Sequence, residues 1–312
     1  MEKWKMKVAI LSLLNGSFDP YWRDVEAGAK SALNDFNCEL DYFAPENATA
    51  ERDITFFQLR MAERLAKEKD VSAVAVAMLN YSKAGGAIRQ ILDAGIPVVT
   101  FDTDAPDSGR SFFIGTNNQV AGQMCGYHLA KIMNFEGKVV IDTPSLDVYS
   151  CIARMAGFRE VMARYDNIQV VKTVCGEENH AKMIAEAQAT VRQIPDLRGI
   201  FCTSGTSAKV NAEAVAHAGK TGQIHIVSVD ADAALIKCVK NGEISMTIAQ
   251  RPYTMGSRVM SYLYEIGQRG IESVLKSVPE NRIIDTGIQK LTKDNIDSYA
   301  DSLRRQGLTV DF

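Results

Sequence analysis

Two similar α/β lobes, each built on a doubly wound parallel sheet, are what this 312-residue chain predicts. Three observations carry that expectation. The first is one phrase, Ala94-Gly-Ile-Pro-Val-Val-Thr-Phe-Asp102-Thr-Asp104-Ala105. Gly95 suits the left-handed end of a helix, and Pro97 bars further helix. Val98 to Phe101 is a short apolar run, as in a parallel strand covered on both faces. Asp102 then falls at the carboxyl end of that strand, the edge where open α/β sheets bind ligands. The second observation is recurrence. Thr221-Gly222-Gln-Ile-His-Ile-Val-Ser-Val-Asp230-Ala-Asp232-Ala233 repeats the phrase 128 residues later (230 − 102), and Glu26-Ala27-Gly28-Ala29 and Met155-Ala156-Gly157-Phe158 lie 129 apart (157 − 28). The third is a regular alternation of strand and helix with polar loops at the strand tips, the pattern of a parallel, doubly wound sheet.

Taken in order, Val8 to Leu14 is the first strand and Asn15 to Pro20 its loop, with Pro20 suited to the first turn of a helix from about Tyr21 to Phe36. Cys38 to Phe43 is a strand, Thr49 to Lys69 a helix with a mixed-charge end, and Val71 to Met78 a strand with Leu79-Asn80-Tyr81-Ser82 as its exit. Lys83 to Ala94 is a helix, and Gly85-Gly86 inside it reads as a point of close packing. After the Asp102 strand come a strand at Phe112 to Ile114, a break at Gly115 to Asn118, and a helix from about Gln119 to Met133. The second half opens with the strand Lys138 to Asp142, the loop Thr143-Pro144-Ser145 and a helix to Tyr165. It continues with strand Ile168 to Val174, helix His180 to Arg192, strand Gly199 to Cys202 with Ser204-Gly205-Thr206-Ser207 as its exit, and helix Lys209 to Ala218. The Asp230 strand follows, then helix Leu235 to Lys240, strand Ser245 to Ala249 with Gln250-Arg251-Pro252 as a sharp exit, helix Tyr253 to Arg269, strand Ile283 to Gly287, and a terminal helix Asp294 to Gln306.

Composition removes several classes of function. The 35 basic and 38 acidic residues are well mixed, with a net charge of −3 and no basic nucleic-acid footprint. The six cysteines are scattered without metal spacing and read as small buried hydrophobes, which neither demands nor excludes an oxidising compartment. The four histidines fall in helix or strand bodies. No metal cluster, dinucleotide-binding glycine turn, phosphate loop or nucleophile elbow is present, so no metal or cofactor is expected and an enzyme is disfavoured. No apolar run is long enough to span a membrane. Met1 to Lys7 leads straight into the first strand without a signal peptide, so the chain is either cytosolic or has had its export signal removed.

Pro20-Tyr21-Trp22, Gly95 to Asp102, Ile114-Gly115-Thr116-Asn117-Asn118, Arg154-Met-Ala-Gly157-Phe158, Val229-Asp230 and Thr247-Ile248-Ala249-Gln250-Arg251-Pro252 occur in that order. In order and spacing, from about Lys7 to Lys290, they resemble the periplasmic sugar-binding proteins of the ribose-binding type, whose type I fold is shared with lac-repressor-type effector domains. The resemblance implies a three-segment hinge, near Thr116, Gln250–Arg251 and Asp285–Gly287. The N-terminal lobe would be 1–115 plus 251–285, the C-terminal lobe 117–250 plus 286–312, with a ligand cleft between them. It implies a monomer located in the periplasm or otherwise outside the cytoplasm, with a small sugar or polyol as ligand and the membrane permease of an ABC importer as partner. The alternative is the sugar-sensing module of a regulator or membrane kinase.

The same resemblance puts Asp19, Tyr21 and Trp22 on the N-terminal rim, Asp102 on sugar hydroxyls with Thr103 beside it, Arg154 on a ring oxygen or hydroxyl, and Ser204, Asp230 and Gln250 at the other polar contacts. The chemistry fits a polyol. A carboxylate accepts two hydroxyl hydrogens in charge-assisted bonds of about 1.5–3 kcal/mol each. Arginine supplies a rigid fork of donors, and an aromatic face covers the C–H face of a sugar ring. Asp104 and Asp232, beyond the tips, read as caps. Three departures from the family pattern stand out: Thr103 where an arginine is usual, and Ser204 and Asp19 where asparagines are. They remove a positive charge and add a negative one, which keeps amino-bearing polyols in the expected range.

Overall fold

The computed structural model describes residues 6–46, 51–176 and 179–305. It divides into two compact units: Met1–Asn117 with Asp147–Ser150 and Arg251–Gly287, and Asn118–Leu146 with Cys151–Gln250 and Ile288–Phe312. Asp147–Ser150 groups with the first unit, not with the C-terminal lobe as the linear cut has it.

The first unit holds strands β1 (Met6–Leu11), β2 (Cys38–Phe43), β3 (Val74–Val76), β4 (Val98–Phe101), β5 (Phe113–Gly115) and β11 (Ile283–Asp285). They form one all-parallel sheet in the order β11-β5-β4-β3-β1-β2. Alternate residues of each strand face opposite layers, as the strand period requires. Val8, Ile10, Val99 and Phe101 pack against α1 (Pro20–Leu33) and α9 (Pro252–Arg269). Ala9, Leu11, Val74, Val76 and Val98 pack against α2 (Glu51–Glu68) and α3 (Tyr81–Asp93).

The second unit repeats the design with β6 (Gly137–Thr143), β7 (Ile168–Cys175), β8 (Leu197–Cys202), β9 (His225–Val229), β10 (Met246–Ala249) and β12 (Gln289–Leu291), ordered β12-β10-β9-β8-β6-β7. The edge pair differs, since β12 runs antiparallel to β10, and the β6 ladders carry register shifts near Val139. Helices α4 (Asn118–Ile132) and α5 (Tyr149–Met162) cover one face, and α6 (His180–Gln193), α7 (Gly205–His217) and α8 (Ala233–Asn241) the other.

The repeated glycines now have a reason. A Cβ on Gly28 of α1 would lie 2.0 Å from the carbonyl oxygen of Tyr253, and one on Gly256 of α9 1.8 Å from that of Val25. In the second unit a Cβ on Gly157 of α5 would lie 2.0 Å from Gln119 O, and one on Gly122 of α4 2.0 Å from Arg154 O. Each unit therefore crosses one helix pair at backbone contact through a reciprocal pair of glycines. The partners are exchanged along the chain: α4 follows β5 of the first unit, and α9 follows β10 of the second.

Several expectations need correction. β1 ends at Leu11, before Leu14, and β3 shortens to Val74–Val76. Tyr81 and Ser82 belong to α3 and not to a loop. Helix α7 starts at Gly205 because Ser204 caps it, accepting from Ser207 N at 3.4 Å. Gly85 and Gly86 pack against nothing within 4 Å, so they mark no close approach. Three short elements, a 3-10 turn at Pro106–Ser108, α10 (Ile271–Leu275) and β12, have no counterpart in the expected order. The expected helix ends at Thr49 and Gln306 lie outside the described residues.

Candidate functional site

The sequence-predicted residues fall into two groups, one in each unit. In the first, Asp19 caps α1, accepting Tyr21 N–H at 2.7 Å. With Pro20 at the first helical position, this cap fixes the direction in which α1 starts and so places the Tyr21 ring. Tyr21 Oη donates to Asp102 Oδ1 at 2.6 Å. Asp102 stands directly after β4 with φ of 60°. Thr103 N donates to Phe101 O at 2.7 Å, across one residue, so Asp102 is the centre of a γ-turn with positive φ, a rare and strained conformation. Thr103 itself is buried.

Trp22 is a correction. It is only 5% exposed, and its indole packs edge-on against Phe101 within the first unit's core, 6.1 Å between centroids. An aromatic that faces its own sheet does not stand on a rim. The partly exposed ring at this helix start is Tyr21, which meets Trp22 edge-on at 5.5 Å. Asp104 is a second correction, because it caps no helix. It is buried and takes a two-pronged ion pair from Arg110.

In the second unit, Asp230 stands directly after β9, again with positive φ, 85°. Its carboxylate accepts Gly205 N–H at 2.9 Å and the Gln250 side-chain amide at 2.8 Å. Gly205 is the first residue of α7, so the carboxylate meets the positive end of a 13-residue helix. Thr247 Oγ1 donates to Asp230 O at 2.6 Å, fixing the backbone of the same residue from β10. Arg154 is 5% exposed and no surface ion-pair partner. Its Nε donates to Asn118 Oδ1 and its Nη1 to Thr203 O, both at 2.8 Å, while Nη2 has no protein partner among the described residues. Ser204 lies between these groups in the chain and is spent in part on capping α7. Asp232 caps α8, accepting Leu235 N–H at 2.9 Å, as its position past the tip suggests.

Sequence reasoning missed the groups that orient these side chains. Asn118 was visible only as the end of a chain break, yet it holds Arg154. Arg110 lies in an unremarkable loop, yet it grips Asp104. Asp142 was read as the end of a strand. It is a buried carboxyl on β6, and burial pushes its pKa up to about 6, with the side chain of Asn211 on α7 opposing the rise. Its one sequence signal is an acid closing an otherwise apolar run, Val139-Val140-Ile141.

Each unit thus ends a central strand in an aspartate with positive φ. The periplasmic binding protein domain model matches residues 11–271. The chain belongs to that family. Among characterised members, this periplasmic binding protein is 24% identical to the D-allose-binding periplasmic protein of Escherichia coli over 276 residues, 86% of this chain and 87% of the relative. It is 26% identical to the ribose import binding protein of Salmonella typhimurium over 255 residues, 80% of each. Among solved structures it matches an ABC transporter solute binding protein from Burkholderia graminis in complex with D-arabinose. That match has a TM-score of 0.81 and 28% identity over 96% of this chain and 99% of the other. A glucose-galactose binding protein from Geobacillus stearothermophilus matches with a TM-score of 0.82 and 25% identity, over 94% and 99%. The expected fold, two parallel-sheet α/β lobes of the type I class, is the fold observed.

Proposed function

We propose that this protein captures a small carbohydrate or polyol between its lobes by hinge closure and delivers it to the permease of an ABC importer. The observation that carries the reading is the pair of strand-tip aspartates. Asp102 and Asp230 both follow a strand directly with positive φ, and both already accept neutral donors: Tyr21 for Asp102, Gly205 and Gln250 for Asp230. A carboxylate oriented by such donors is suited to accepting the hydroxyl hydrogens of a sugar in charge-assisted bonds. Arg154, anchored by two nitrogens with Nη2 left over, is the donor for a ring oxygen or hydroxyl.

Relatives that bind D-allose, ribose and D-arabinose support the ligand class, and Asp19, Tyr21, Thr103, Ser204 and Gln250 complete the proposed contacts. Contacts from both lobes stabilise the shut form. Micromolar affinity needs about −8 kcal/mol, within reach of a few charge-assisted bonds after the cost of immobilising the ligand. The protein works outside the cytoplasm as a monomer and returns its ligand unchanged. The hinge lies near Thr116, Gln250–Arg251 and Asp285–Gly287.

Calorimetric titration with pentoses, hexoses, inositols and amino sugars tests the reading. At least one is expected to bind and to be recovered chemically intact, and Asp102→Ala or Arg154→Ala should each abolish most of that affinity. If the best ligand binds both variants as tightly as the wild type, the residues are misassigned.

A further inference from the structure

The turn that presents Asp102 is strained, so something must hold it. Two residues before the turn's centre, Thr100 Oγ1 donates to Asp104 Oδ1 at 2.6 Å. Two residues after it, Asp104 is gripped by Arg110, with Nε to Oδ1 at 2.7 Å and Nη2 to Oδ2 at 2.5 Å. Ala105 N–H adds a further donor to Asp104 Oδ1 at 2.7 Å. The Asp104 and Arg110 side chains are each only 8% exposed. Positions 100 and 104 are thus stapled symmetrically about Asp102, with Phe101 and Thr103 buried on either side of it.

We propose that Asp104 and Arg110 are positioning residues, a buried clamp that keeps Asp102 at the apex of its γ-turn; the functional consequence rests on the reading of Asp102 given above. A carboxylate tied to the preceding strand and locked by a bidentate guanidinium fixes both ends of the five-residue segment 100–104. The bond that crosses the turn is the one from Thr100 to Asp104, and the desolvated, bidentate guanidinium holds Asp104 where it accepts that bond. The equivalent residues of the second unit, 128 positions on, build no such clamp. Ser228 donates to Thr247, and Asp232 caps α8 and pairs with the half-exposed Lys209. The device is therefore specific to the first tip and not a by-product of the repeated phrase.

Amide hydrogen exchange resolved by residue tests the clamp. The variants are Arg110→Lys, which keeps the charge and loses the fork, and the double variant Asp104→Asn/Arg110→Gln, which leaves no unpaired buried charge. In the double variant Thr103 N–H, donor of the turn's hydrogen bond, is expected to exchange at least tenfold faster while Val99 and Ile114 keep wild-type rates. Arg110→Lys should fall between. The variants are also titrated with D-allose, D-ribose and D-arabinose, and any of these that binds the wild type should bind the double variant at least tenfold more weakly. Faster Thr103 exchange with unchanged affinity supports the clamp and removes Asp102 from the ligand contacts. Thr103 exchange within twofold of wild type, or a rise shared by Val99 and Ile114, overturns the proposal whatever the affinities are.

Discussion

At the end of β4, Asp102 sits at the centre of a γ-turn whose flanks are tied together by Thr100, Asp104 and Arg110. At the end of β9, Asp230 also has positive φ but is held from outside. Gly205 of α7 and Gln250 reach its carboxylate, and Thr247 of β10 its carbonyl. One phrase, Asp-x-Asp-Ala, has thus been fixed once from within and once by neighbouring elements. The shared feature is the positive φ directly after the strand, and the divergent feature is whatever holds it. A strained presentation of this kind persists only when its surroundings over-determine it.

The comparison breaks most violently at the helix crossings. Gly28→Ala and Gly157→Ala each drive a Cβ to 2.0 Å from a carbonyl oxygen of the facing helix. Both should lose stability at or beyond the upper end of the roughly 1–3 kcal/mol typical of overpacking, read by urea denaturation. Gly85→Ala is the control: nothing lies within 4 Å, and in a helix interior the change should gain up to about 1 kcal/mol. If Gly28→Ala is tolerated and Gly157→Ala is not, the two crossings are not equivalent.

How much of this was legible in the sequence depends on the range of the interaction. β2 and β4 were read with the bounds observed, Cys38–Phe43 and Val98–Phe101, because each apolar or alternating run is closed by its own neighbours. Leu13 and Leu14 extended β1 on paper, but they are partly buried side chains packed beside the core after the strand has ended. Ser204 to Ser207 looked like a loop because a cap and a polar first turn carry no apolar period. β12 was invisible because three residues with one buried side chain make no pattern. At the tips, local signals placed both aspartates. The partners of Arg154 and Asp104 come from Asn118, Thr203 and Arg110, and no spacing rule in one sequence pairs them. Trp22 misled for the opposite reason: an aromatic at a helix start reads the same whether it faces the core or the solvent.

The second test sets β6 against β1. Asp142 occupies the ladder position that Leu11 occupies in the first unit, since Asp142 pairs with Cys202 as Leu11 pairs with Val76. Burial raises Asp142 from 3.8 to about 6, with Asn211 opposing, Glu186 adding to the rise and Lys172 opposing it. The folded state therefore holds a proton that the unfolded chain releases between about pH 4 and pH 6. The corresponding stability is present in full below the unfolded value and lost as pH rises through about 6. Above that, the buried carboxylate costs about 3 kcal/mol. Asp142→Asn should flatten the stability profile between pH 4 and 8 and raise stability most at pH 8. A wild-type-like slope in that variant would place the titration elsewhere.

A smaller effect separates the two tips directly. Asp102→Asn and Asp230→Asn each remove a charged acceptor, worth about 1.5–3 kcal/mol per ligand hydrogen bond, or roughly 10- to 150-fold in affinity. Asp230→Asn should cost more, because an asparagine amide turned toward Gly205 N–H or Gln250 would present donor to donor. Equal losses by calorimetry would mean that the external hold on Asp230 contributes nothing to binding.

The smallest effect isolates what burial adds to an ion pair. Lys209 and Asp232 meet at 2.7 Å, as close as the Arg110 clamp, but both side chains are 38% exposed. Solvent screens such a pair to about 0.2–1 kcal/mol, and the cap from Asp232 to Leu235 N–H survives loss of the lysine. Lys209→Met should therefore shift the denaturation midpoint by less than 1 kcal/mol equivalent and leave amide exchange at Asp230 within twofold of wild type. Loss of the fork in Arg110→Lys, by contrast, leaves a desolvated carboxylate with one poorly directed donor in place of two parallel ones. If Lys209→Met loosened its tip as much as Arg110→Lys loosens its own, proximity of opposite charges would suffice to hold a strand tip, and neither the fork nor its burial would be needed to account for the turn at Asp102.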